Sequence, residues 1–179
     1  MCRNKFLLQF SVGALLVITA TLPALANSTT RNMDCNKKKY EKYLQVKKDW
    51  NTHLSNIITE EEPRFAEIAK ELLLRETKLI EADRLEFEFL ANKDPEELHL
   101  DRPLNQWVKL SDNEKKQLAA TDKDYTSLTQ FSWDHATAKS RSDRKQALSR
   151  IMVNRRFIAY IQVNKKRTEE VSGISCSKP

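Results

Sequence analysis

Glycine is almost missing from this chain: 179 residues contain only Gly13 and Gly173. So little glycine excludes a protein built on many tight hairpin turns, and it excludes a phosphate-cradling loop. Histidine is nearly as scarce, with only His53, His99 and His135. None of the three stands three or four residues from another, the spacing that would put two metal ligands on one helix face. No metal site and no cofactor is therefore expected. The nucleophile elbow, the phosphate-binding loop and the dinucleotide fingerprint are also missing from the sequence. Cysteine occurs three times, at 2, 35 and 176, and never as Cys-x-x-Cys, which argues against a thiol redox catalyst.

What the chain does have begins with an address. Arg3 and Lys5 precede an apolar stretch from Phe6 to Ala20. Pro23 and the small-x-small run Ala24-Leu25-Ala26 follow. That order is a secretory signal peptide, expected to be cleaved after Ala26. The apolar core falls short of the ~20 residues of a membrane span, so the mature chain is expected to have no transmembrane segment. Asn27-Ser28-Thr29 fits a glycosylation sequon, but the short leader has a bacterial look and the sequon is read as chance. The expected location is the periplasm or the exterior. Residues 27–179 are one domain's worth of chain. Losing Arg3 and Lys5 lowers the formal net charge from +6 to +4. A bias so modest, on an exported chain, calls for no nucleic-acid partner.

Cys35 and Cys176 remain after cleavage. In an oxidising compartment two thiols have one intramolecular pairing, and a bridge between chains or two free thiols are the alternatives. Such a bridge would close a loop of about 140 residues, worth ~4–5 kcal/mol in the chain-entropy model.

Lys, Glu, Leu, Ala and Arg dominate, and no strict apolar–polar alternation appears, so the fold class is all-α. A first helix is predicted over residues 34–59, with Tyr40, Tyr43, Leu44, Trp50, Leu54, Ile57 and Ile58 on one stripe that Lys47 interrupts. Pro63 should break or kink the chain after Glu60-Glu61-Glu62. A second helix follows to about residue 92, its stripe running from Phe65 to Leu90 with Glu76 and Asp83 inside it. Pro95 and Pro103 bracket a connection. Ser111 and Glu114 form a capping box that opens a short helix to about residue 120. Another helical segment is predicted over residues 122–139, ended by the polar run Lys139–Lys145. The last helix should span 143–171, with Ser142 as cap, Gly173 as stop, and Ala147, Leu148, Ile151, Met152, Ile158 and Ala159 facing in. The expected architecture is an elongated bundle of about four main helices. An even count brings the chain ends to one pole, where Cys35 and Cys176 can join.

Two features are candidates for function. Glu76 and Asp83 lie one heptad apart on an apolar stripe. They could serve as acid and base, or each could pair with a cation such as Arg155. Charge is also segregated. Asn36–Lys48 carries a net +5, Thr59–Ala91 a net −5, and Asp143–Glu170 a net +5. Either the acidic helix packs between two basic ones, or the first and last helices make a basic face of Lys37, Lys38, Lys39, Arg155, Arg156, Lys165, Lys166 and Arg167. Such a face would suit an envelope protein or an anionic lipid surface. The favoured function is a non-enzymatic binding or accessory protein of the cell envelope. An enzyme using the carboxylates of the second helix is the alternative.

Overall fold

The computed structural model describes residues 24–129 and 138–176. The expected signal segment up to residue 23, and Phe131, Trp133, His135 and Ala136, lie outside these residues. Among the described residues there are six α-helices and no strand: α1 (Ala24–Glu61), α2 (Ala66–Lys93), α3 (Asp112–Thr121), α4 (Lys123–Thr129), α5 (Ala138–Ile151) and α6 (Arg155–Ser172). The fold is all-α. α1 has 38 residues, about 57 Å at 1.5 Å per residue, and starts ten residues earlier than its apolar stripe predicts.

Pro63 ends α1. It opens a single 3-10 turn, Pro63–Phe65, that reverses the chain into α2. The two long helices are antiparallel, as their cross-links show. Lys37 meets Glu88, Lys47 meets Asp83, and Ser55 Oγ donates to the Ala69 carbonyl. α6 returns along another side of α1, also antiparallel, through Arg156 with Glu60 and Arg167 with Asp49. At its end Cys176 is bonded to Cys35, with 5.6 Å between their Cα atoms. The basic amino-terminal half of α1 therefore packs between α2 and α6. The acidic helix between two basic ones, as drawn from charge alone, has the order wrong.

Two apolar clusters fill the interior. The one nearer the disulfide joins Tyr40, Leu44, Phe87, Leu90, Trp107 and Tyr125, among others. Tyr40 stacks on Phe87 with ring centroids 4.4 Å apart and lies nearly parallel to Trp107 at 6.1 Å. Trp107 comes from the proline-bracketed connection, whose turn Leu104–Gln106 carries it inward. Its indole N–H donates to the Arg102 carbonyl. The capping box forms as predicted: Ser111 Oγ accepts from the Glu114 amide and Glu114 Oε2 accepts from the Ser111 amide. The second cluster, at the Pro63 end, joins Ile57, Ile58, Phe65, Ala69, Ala147, Ile151 and Phe157.

The carboxy-terminal third departs from the sequence reading. The polar run Lys139–Lys145 is helical, since its lysines and arginines sustain a helix that serine and aspartate only weaken. The expected cap, Ser142, is inside α5. The break falls instead at residues 152–154. Asn154 caps α6, its side-chain oxygen accepting from the amides of Arg156 and Phe157. The break shifts the helical phase. Phe157 and Ile161 turn inward, while Ile158 is left 47% exposed and Met152 60% exposed. Gly173 does follow α6 as its C-cap, in ordinary right-handed geometry.

Candidate functional site

The eight cations of the expected basic face have different fates. Lys39 is structural: its ammonium donates to the carbonyls of Ser172 and Ile174 at 2.8 and 2.7 Å. It thereby satisfies carbonyls that the end of α6 leaves open and opposes the negative end of the helix dipole. Arg156 bonds Glu60 and Glu61 at 2.7 and 2.9 Å. Arg167 is held by Asp49, which keeps the Asp49 carboxyl below its usual range. Lys37 reaches Glu88 at 3.5 Å, and Lys165 and Lys166 lie 3.9 Å from Glu169 and Glu170. Lys38 and Arg155 are exposed and make no ion pair among the described residues. Most of the positive charge on α6 is thus answered locally.

What remains is concentrated on α1. Lys38, Lys39 and Lys42 line a depression of about 500 Å³ beside the disulfide, together with Asp34 and Ile174. Lys38 and Lys42 are one helical turn apart, so both face the same side. The disulfide fixes the wall opposite them. The sequence shows these lysines as a run, but only the bridge makes them the rim of a hollow.

A second concavity lies between α2 and α6, with α1 as its floor. It holds about 440 Å³. A smaller hollow of about 250 Å³ adjoins it toward α5, and Asn51 and Glu76 line both. The two carboxylates singled out from sequence part company here. Asp83 is engaged by Lys47 at 2.6 Å across the α1–α2 seam. Glu76 has only a loose contact, 3.9 Å, with Arg75, and it faces the cleft. Arg155, the partner expected for one of them, is exposed on the outer side of α6. Seven residues along α2 place Glu76 and Asp83 about 10 Å apart along the helix axis, so they do not meet on one reacting atom.

The cleft also exposes residues that the sequence reading passed over. Asn51, Asn105 and Asn164 line it, from α1, the proline-bracketed connection and α6 respectively. The Asn164 side-chain oxygen is buried with no hydrogen-bond partner among the described residues. The signal was present: Phe157, Ile161, Asn164, Thr168 and Val171 form one stripe, in which an asparagine and a threonine interrupt apolar residues. It stays hidden while α5 and α6 are read as one helix.

His53 and His99 stay apart from both sites. His53 packs on Tyr160, ring centroids 3.6 Å apart, and the His99 amide donates to the Trp107 carbonyl. Among the described residues no group of three or more His, Cys, Asp or Glu could hold a metal ion, and no helix is long and apolar enough to cross a membrane. No family model, curated protein or solved structure matches the chain.

Proposed function

We propose that residues 1–26 direct export, that the mature chain works in the periplasm or outside the cell, and that it is a non-enzymatic binding protein for an anionic component of the envelope. The observation that carries this reading is the lysine-rimmed depression of Lys38, Lys39 and Lys42 beside the Cys35–Cys176 bridge. Among the described residues Lys38 and Lys42 make none of the ion pairs that occupy most of their neighbours, so their charge is available to a partner. A disulfide of this span is in keeping with an oxidising compartment.

Sedimentation of the mature chain with vesicles tests the proposal. Binding should be stronger to vesicles containing anionic lipid than to neutral ones, and should fall as salt screens the charges. The double reversal Lys38→Glu/Lys42→Glu touches no packed side chain and should abolish the difference. Equal binding to both vesicle types, unchanged in the double variant, would refute the lipid reading. Covalent cross-linking from position 42 in an envelope fraction would then decide whether an acidic protein takes the place of lipid.

A further inference from the structure

We propose that the cleft between α2 and α6 binds a short peptide with free ends, about three residues long, in extended form. The site is separate from the lysine-rimmed depression, and the inference does not depend on that reading.

The argument starts from charge. Lys47 and Glu76 line the same cleft of about 440 Å³, a volume within the ordinary range for small-ligand sites. The Lys47 ammonium bonds Asp83 at 2.6 Å, but an ammonium has three hydrogens and can donate again. Glu76 keeps acceptor capacity, because the Arg75 guanidinium stands 3.9 Å from its carboxylate, beyond hydrogen-bond distance. The cleft therefore offers an ammonium donor, already paired with Asp83, near one end and a carboxylate near the other. Since Lys47 sits at Asp83, the seven-residue step along α2 separates the two charges by about 10 Å. A single amino acid laid along the cleft floor holds its two charges less than ~3 Å apart, too close to sit over both. An extended chain advances ~3.3–3.6 Å per residue, so three residues fit.

The groups between these ends suit a peptide backbone. Asn51, Asn105 and Asn164 each carry a donor and an acceptor, as a peptide unit requires. Val46 and Leu104, both buried, and Trp50 supply apolar surface for a central side chain. The peptide carboxylate would lie toward Lys47 and its ammonium toward Glu76, with the adjoining hollow left to receive the first side chain.

Calorimetric titration of the oxidised mature chain with alanyl-leucyl-alanine tests this. Saturable one-to-one binding is expected. Amidating the carboxylate or acetylating the amine should each weaken it about tenfold, the effect of losing one charge-assisted hydrogen bond. Glu76→Gln should weaken the free tripeptide to a similar degree and leave the acetylated one unchanged. The capping series is measured on the unaltered protein, so it decides the matter even if the variant folds poorly. No saturable binding, free leucine binding as tightly as the tripeptide, or indifference to both caps would each overturn the proposal.

Discussion

The two ends of the bundle hold themselves together by different means. At the disulfide end, flat rings lie in layers: Tyr40 against Phe87, with Trp107 parallel beyond it. A covalent bond and the Lys39 bridge to the last carbonyls of α6 secure the edge of that stack. At the Pro63 end the core is smaller and mainly aliphatic, with Ile57, Ile58, Ala147 and Ile151 at 0–1% exposure. Its edge is held by the acidic triplet, where Glu60 and Glu61 take Arg156 and Glu62 takes Arg150. Exposed ion pairs of this kind add little stability and weaken in salt. One end is thus stapled, and the other depends mainly on packing, with exposed ion pairs at its edge. The lysine-rimmed depression lies at the stapled end, and the cleft lies between the two ends.

Removing the staple should have the largest effect. Cys35→Ser with Cys176→Ser releases the denatured chain from a closure of 141 residues and should cost about 4–5 kcal/mol, read from denaturant unfolding. Single core truncations then sharpen the contrast. Phe87→Ala should cost about 4 kcal/mol and Ile151→Ala about 3 kcal/mol in the oxidised protein. In the serine double variant, Phe87→Ala should also loosen the disulfide end locally, an outcome for limited proteolysis to record. Asn154→Ala removes the side chain that restarts the chain as α6 and should cost about 1 kcal/mol, mostly at the Pro63 end.

The smallest effect concerns pH. Arg167 holds the Asp49 carboxyl below its ordinary range. A carboxyl depressed on folding contributes stability at all pH values above its unfolded pKa of ~3.9, and that stability fades as pH falls through the folded value. Asp49→Asn should therefore reduce the slope of stability against pH below about 4, with little change in that slope near neutrality. An unaltered acid limb in an equilibrium titration would mean that the pair does not link α6 to α1.

Much of this architecture is legible in the residues themselves. Scarce glycine and helix-favouring composition give the class. Pro63 marks the first reversal, Ser111 with Glu114 marks a helix start, and Tyr40, Leu44, Ile57, Ile58, Phe87 and Leu90 are buried where their spacing places them. The rest depends on competition between local preferences. Ser142 and Asn154 are both acceptable caps, and the choice between them is made by Phe157, which enters the core only if α6 restarts at Asn154. Choosing Ser142 puts Ile158 inside and hides the inward position of Asn164. The cleft is invisible for the same reason, because its walls come from three segments whose phases must all be known. Charge misleads differently: a count over α1 and α6 shows an excess of cations but does not tell that Lys39 is consumed by carbonyls and Arg156 by glutamates.

Hydrogen exchange by mass spectrometry on the native chain, with and without reductant, tests the two-ended account most directly. Reduction should speed exchange in residues 34–44 and in the last turns of α6, while residues 57–69 and 147–157 keep their protection. Equal loss of protection at both ends, or none at either, would contradict it.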